Sequence, residues 1–313
     1  MVSINDVAKH AHVSKMTVSR VLNHPEKVSP EIKTEVLQAI SELGYVQNRA
    51  GRSLATNRHY AIAFVMLDKM DQVEPYFGNL ILYIADALQA KGYTMALHRT
   101  LDAAYEDVDG LLISGARPKD IPEIQTIQLP VVSYGPHEGL NSVDINNHEG
   151  TVLATEHIMS GDYDHYLYLD IDMPDKFAKD RQSGFIDTIG ENVYTVHTLG
   201  NDEHLAEEYV TAFVATHKKV GIVAATDRLA LGALRGALST NKNVPDDVGI
   251  VGFDGIFIHK LSELELSTIV QPLKEIAQEM VHLLLEQLDN PQQGNIEREI
   301  PPHISQGETS QIQ

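Results

Sequence analysis

From residue 60 to its end the chain repeats one pattern, a short apolar run followed by a helix-length amphipathic segment, and no other feature constrains the fold as strongly. Runs at 61–67, 95–97, 110–113, 131–133, 166–170, 193–197, 220–224 and 248–253 read as strands. Segments such as 78–90, 149–159, 205–217 and 228–238 have helical length and spacing. Strands joined by helices run parallel, because the crossover returns the chain to the starting edge, and their sheet is then covered on both faces. Two such sheets are expected over this length, with a ligand crevice at the carboxyl ends of their strands.

The first 58 residues follow a different rule. Ser3-x-x-Asp6 has capping-box spacing ahead of Ile4, Val7, Ala8 and Ala11, which predicts a short helix ending at Ala11-His12-Val13. Ser14 then caps a second helix whose inward face is Val18, Val21 and Leu22. A third is bracketed by Ser29, Pro30 and Gly44 and carries the stripe Ile32, Val36, Leu37, Ile40, Leu43. The second helix turns Lys15, Met16, Thr17, Ser19 and Arg20 away from the core. Arg and Lys can bond guanine edges, Met can pack on a thymine methyl, and hydroxyls at a helix N-terminus can take phosphate. On spacing alone the same face also fits a solvated surface.

Charge is segregated in a way that bears on this choice. The whole chain carries a net charge of -20. Residues 1–58 hold eight basic and five acidic residues, and the remainder holds 16 basic and 39 acidic. Only the head can approach phosphate, and the body repels it. Charge alone leaves open an acidic soluble enzyme with a neutral N-terminal bundle.

The run Asp6-Val-Ala-Lys-His-Ala-His-Val-Ser-Lys-Met-Thr-Val-Ser-Arg-Val-Leu-Asn23, followed by Val28-Ser-Pro-Glu31 and Leu43-Gly-Tyr-Val46, closely resembles the DNA-binding head of the lactose/galactose repressor (LacI/GalR) family. The resemblance implies that Lys15, Met16 and Arg20 read bases, and that Ser14, Thr17, Ser19 and Asn23 hold the DNA backbone. The family usually has Gly where this chain has His12, a turn position expected to need positive φ. Residues 48–57 read by themselves as a polar linker. Their resemblance to the family's hinge implies a short helix formed on operator DNA, with Asn48 at the DNA and Leu54 wedged into the minor groove. Gly51 weakens that helix by about 1 kcal/mol relative to Ala.

The body resembles the same family's regulatory domain, through Asn147-His-Glu-Gly-Thr-Val-Leu-Ala-Thr-Glu-His157, Ala225-Thr-Asp-Arg-Leu-Ala-Leu-Gly-Ala-Leu234 and Val244-Pro-Asp-Asp-Val-Gly-Ile-Val-Gly-Phe-Asp254. The implied architecture is α/β: a three-helix helix-turn-helix head over 1–47, a hinge over 48–59, and a two-lobed, periplasmic-binding-protein-like domain with parallel sheets over 60–313. By the same resemblance Tyr76, Phe77, Arg181, Thr226, Asp227 and Asp254 are effector-binding candidates. A guanidinium fork and a two-oxygen acceptor suit vicinal hydroxyls. Three departures bear on the effector. Thr226 stands where the family commonly has Asn, no aromatic lies near Asn201 and Asp202, and only residues 99–109 join two strands that relatives connect by a full helix. That crossover helix is therefore expected to be missing or cut to a turn.

The implied function is a repressor that binds double-stranded operator DNA as a homodimer and answers to a carbohydrate effector. Alternatives are a solute-binding protein without DNA function and a regulator answering to a protein or non-sugar corepressor. Phosphate-binding, acyl-transfer and zinc-protease motifs are absent, which argues against an enzyme. The 15 histidines are dispersed, and with no cysteine neither a metal nor another cofactor is expected. No secretion signal and no apolar run of about 20 residues is present, so a cytoplasmic location is expected and no membrane partner. The tail from Pro301 to Thr309 resembles the family's closing strand and has no heptad run, so no tetramer-forming coil is expected.

Overall fold

Ser3, Ser14 and Ser29 each open a helix, and the three helices close on one small apolar core. The computed structural model describes residues 2–23, 25–45, 53, 56, 58–68, 75–102, 105–256, 262, 264–291 and 294–310. Most of the expected hinge, including Asn48, Gly51 and Leu54, lies outside the described residues. The chain divides into two compact units: residues 1–61 with 107–109, and the rest.

In the first unit α1 (Ile4–His10) begins with the expected capping box. The Ser3 N–H and hydroxyl both donate to the Asp6 carboxylate, at 2.9 and 2.7 Å, and these bonds hold that carboxyl below its usual range. The turn that follows puts His12 at φ 52, the left-handed conformation anticipated for this position. Ser14 Oγ accepts the Thr17 N–H at 3.0 Å at the start of α2 (Lys15–Asn23). Helix α3 (Pro30–Leu43) runs from Pro30 to a left-handed Gly44 at φ 60. Val7, Val18 and Val36 are fully buried where the helices meet. Leu37 departs from the expected stripe: it is 46% exposed, and Ala39 is buried instead. One residue is about 100° of helix rotation, so Leu37 lies off the line through Ile32, Val36 and Ile40. His10 Nε2 meets Glu42 Oε2 at 2.7 Å and clips α1 to α3.

The second unit consists of two lobes, each built on a six-stranded sheet. The first sheet has the order β11-β5-β4-β3-β1-β2, formed by β1 (Ala61–Met66), β2 (Thr94–His98), β3 (Gly110–Ser114), β4 (Val131–Tyr134), β5 (Asn141–Ile145) and β11 (Glu297–Ile300). The second runs β12-β10-β9-β8-β6-β7, from β6 (His165–Ile171), β7 (Tyr194–Leu199), β8 (Val220–Ala224), β9 (Val248–Asp254), β10 (Ser267–Val270) and β12 (His303–Ser305). Parallel pairing links β1, β3, β4, β5 and β11 in the first sheet, and β7, β6, β8, β9 and β10 in the second. The closing β12 pairs antiparallel to β10. Central strands β3 and β8 are buried along their whole length, which is why they read as unbroken apolar runs. Strand β11, Glu-Arg-Glu-Ile, lacks such a run because it sits at a sheet edge, where charge is tolerated.

Helices α4 (Pro75–Ala90) and α10 (Leu273–Asp289) pack together on the first lobe, with the single turn α5 (Ile121–Ile124) between β3 and β4. The second lobe carries two packed pairs, α6 (Asn147–Met159) with α7 (Lys176–Ile189), and α8 (Glu203–Thr216) with α9 (Asp227–Ser239). The chain passes between lobes three times, at 145–147, 270–273 and 300–303. All three crossings leave carboxyl ends of strands, so those ends face a shared cleft. The β2–β3 connection contains no helix among its described residues, 99–102 and 105–109. Its last residue, Asp109, instead accepts the backbone N–H groups of His59 and Tyr60 at 2.8 and 2.7 Å.

Candidate functional site

Two surfaces carry the chemistry, one in each unit. On the head, Ser14, Lys15, Met16 and Arg20 are exposed, and Thr17 and Ser19 are half-buried. Met16 is 64% exposed, a large apolar side chain held in solvent beside two cations. Ser14 and Thr17 share a hydroxyl bond of 2.9 Å at the helix N-terminus, where backbone N–H groups and the positive end of the helix dipole also point outward. Asn23 ends the same helix. Val18 and Val21, on the opposite face, are the residues that fix α2 to the core. The helix can therefore present a basic, hydroxyl-bearing end and one apolar contact to a groove.

In the second unit the cleft is organised around Arg181 on α7, whose side chain is only 5% exposed. Its Nε donates to Asn147 Oδ1 at 2.9 Å and its Nη1 to the Ala225 carbonyl at 2.6 Å, with Asp254 Oδ1 at 3.6 Å. The guanidinium lies 3.6 Å from the Phe253 ring centroid and 5.0 Å from that of Phe177. Asp254 ends β9 at φ 130, a conformation unusual for any residue but Gly. Gln271, just beyond β10, donates to Asp254 at 2.8 Å, and its Oε1 accepts the hydroxyls of Tyr76 and Tyr134, both at 2.9 Å. Those two hydroxyls also meet each other, their two protons being shared among the three contacts, and Phe77 packs edge-on against Tyr76 at 5.2 Å. Tyr76 and Tyr134 belong to the first lobe, and Gln271, Asp254 and Arg181 to the second lobe and its crossing. One network thus spans the cleft.

Burial dominates the electrostatics here. It pushes the Asp254 carboxyl up to about 6 despite Arg181, and Asp144, at the end of β5, also to about 6. Asp227 is fully buried and its carboxyl is raised well above the ordinary range, by burial and by the neighbouring Asp254. The Tyr76 and Tyr134 hydroxyls are likewise raised, first by burial, so both stay protonated. At the cleft mouth Arg117, just after β3, pairs with Asp175, the cap of α7, at 3.0 Å and joins one lobe to the other.

Of the six expected effector residues, Tyr76, Arg181 and Asp254 converge on the cleft network, with Phe77 packed behind Tyr76. The other two are committed elsewhere. Thr226 Oγ1 caps α9 by accepting the Leu229 N–H at 3.2 Å and donates to Asn201 Oδ1 at 2.7 Å. Asp227 accepts the Thr268 hydroxyl at 2.5 Å and the Ile256 N–H at 3.2 Å, bracing the turn after β9. A Cβ on Gly252 would come within 2.5 Å of Asp227 Oδ1, so that carboxylate needs the glycine above it. Sequence reasoning missed Asn147, Tyr134, Phe177 and Gln271. Position was the available signal, since Tyr134 closes a strand, Gln271 follows one, and Asn147 opens the helix after another. Aromatic rings stand in the cleft network instead, Tyr76, Tyr134 and Phe177, with Phe253 buried beneath the Arg181 guanidinium.

The sequence model for bacterial regulatory proteins of the lacI family matches residues 3–48, and that for a periplasmic binding protein-like domain matches 164–310. An HTH-type transcriptional regulator of Bacillus subtilis, YvdE, is 34% identical over 95% of this chain and 96% of its own length. The chain belongs to the lacI family. The ribose operon repressor of Halalkalibacterium halodurans is 31% identical over 99% of this chain and 97% of its own. Among solved structures, the transcriptional regulator CelR in complex with cellobiose superposes with a TM-score of 0.71 at 24% identity, over 99% of this chain and 100% of that one. As a lacI-family member the chain is a DNA-binding transcription regulator with a helix-turn-helix head and a two-lobed regulatory domain. No described helix is long and apolar enough to cross a membrane.

Proposed function

We propose that this lacI-family regulator is a cytoplasmic repressor without catalytic role, which grips a pseudo-palindromic operator as a two-fold dimer and answers to a small carbohydrate held between its lobes. The observation that carries the DNA half is the exposed end of α2, with Lys15, Met16 and Arg20 presented and Ser14 and Thr17 at its N-terminus. The effector half rests on the network joining Tyr76 and Tyr134 to Gln271, Asp254 and Arg181 across the cleft. Sugar operons in the names of relatives such as the ribose operon repressor agree with this reading. A ligand between the lobes must replace those interlobe bonds with its own and so changes the balance between open and closed forms. Tyr76, Tyr134, Asn147, Arg181, Asp254 and Gln271 contact the ligand, whereas Thr226 and Asp227 brace the elements that carry them. Selection of duplexes from a randomised library by the full-length protein tests the reading. A palindromic site is expected, with Arg20→Ala relaxing one symmetric base-pair position at a cost of about 1–3 kcal/mol. Failure of the intact protein to enrich any palindrome would sink it.

A further inference from the structure

We infer that the cleft selects an uncharged polyhydroxylated effector and rejects phosphorylated or carboxylated sugars. This rests on the reading of the cleft as an effector site, and it comes from how the charges there are disposed. Two carboxylates, Asp144 and Asp254, lie at the ends of strands β5 and β9 at the cleft, against one inner cation among the described residues. That cation, Arg181, is already committed to Asp254, to Asn147 and to the Ala225 carbonyl, and its faces lie against Phe253 and Phe177.

Among the described residues, cations nearer solvent are paired as well. Arg117 pairs with Asp175 at 3.0 Å and Lys176 with Asp180 at 2.6 Å. A cavity of about 230 Å³ adjoins Asp144 and Asn147, and its wall adds Asp180, Glu297 and Glu299 against Lys176 and Arg298. Arg298 in turn is bracketed by Glu279 and Glu286. An anionic ligand would have to strip a cation from its carboxylate while entering a field that is negative without it.

The remaining polar groups point the same way. Asp170 Oδ1 and Asp175 Oδ2, at the end of β6 and the start of α7, are buried acceptors with no hydrogen-bond partner among the described residues. Carboxylates accept only, so a ligand that satisfies this set must be rich in donors, as a polyol is. The tyrosine hydroxyls can accept or donate and so tolerate either orientation of a sugar hydroxyl.

The test uses the full-length protein and matched sets: ribose with ribose 5-phosphate, and glucose, cellobiose and maltose with their phosphates and aldonic acids. Calorimetry measures binding, and operator affinity is read in parallel. A neutral member is expected to bind at least tenfold more tightly than its anionic counterparts. An anionic member that binds as tightly as its parent, or more tightly, overturns the inference and leaves the effector reading standing. If no member binds or alters operator affinity, the small-carbohydrate reading falls and takes the inference with it. Asp254→Asn separates charge from shape, because it frees the Arg181 charge with little change in volume. It should narrow the neutral-to-anionic affinity ratio by about tenfold or more. Equal weakening of both classes would mean that Asp254 only holds the fold, and would overturn the charge argument.

Discussion

His12 shows how one residue can strain a motif without breaking it. At φ 52 it occupies a backbone region that costs an L-residue about 1–2 kcal/mol, less for a residue whose Cβ is unbranched. His12→Val should therefore lower the stability of the head by about 1–2 kcal/mol, and His12→Gly should not. Operator affinity and chemical denaturation of the full-length variants check this, and equal behaviour of the two would refute the strain. Asp144 makes a separate prediction at the same scale. Its folded carboxyl is pushed up to about 6 from an ordinary 3.8, so between those values the folded chain holds more protons than the unfolded one. Stability from this group therefore rises as pH falls through about 6 and levels off below about 4. Relative to Asp144→Asn, which cannot titrate, the wild type should gain about 1–3 kcal/mol between pH of about 7.5 and about 4. A difference in unfolding free energy that stays constant across that range would contradict the burial argument.

Among the elements, the short β2–β3 connection and the pair at the cleft mouth do most to distinguish this chain. Asp109, at the end of that connection, is 7% exposed and accepts two backbone N–H groups where the hinge ends. Asp109→Ala leaves both donors without that acceptor, at a cost of about 2–4 kcal/mol. It should weaken operator binding more than effector binding, and parallel titrations with DNA and with sugar would reveal the reverse if the contact only supports β3. Arg117 and Asp175 join the lobes through a pair that is partly exposed, 33% and 13%. Solvent screening limits such a bond to about 1 kcal/mol, enough to shift lobe closure several-fold. Arg117→Gln should enlarge the radius of gyration in solution scattering and speed effector release about three- to fivefold. An unchanged scattering profile would show that closure does not depend on the pair.

For the whole molecule, the decisive quantity is where the charge lies rather than its sum. Sixteen basic against 39 acidic residues make the body repel phosphate, while eight basic residues against five leave the head weakly attractive. In the proposed dimer, affinity then comes from two heads held together and is sensitive to salt. If about half of the basic residues in each head meet phosphate, the logarithm of operator affinity should fall against the logarithm of salt with a slope of about −7. A slope near zero would exclude the head as the phosphate-binding element. High salt should leave sugar binding in the cleft almost unchanged, because the interactions there are buried.

Helix caps, periodicities and apolar runs depend on neighbours a few residues apart, so the sequence by itself determined the three-helix head, the outward face of α2, the left-handed turn at His12 and the parallel two-sheet plan. It also determined that β2 and β3 would be joined without a full helix, since residues 99–109 are too few for one. The tertiary structure alone decided which groups meet. Tyr76 and Gln271 lie 195 residues apart and bond at 2.9 Å only because separate strands end at one cleft. It bonded Thr226 to Asn201 and Asp227 to Thr268, and turned Leu37 outward in favour of Ala39. It also brought Asp144, Arg181 and Asp254 into one buried field. Burial and charge pairing are properties of that three-dimensional neighbourhood, and no local pattern in the chain encodes them.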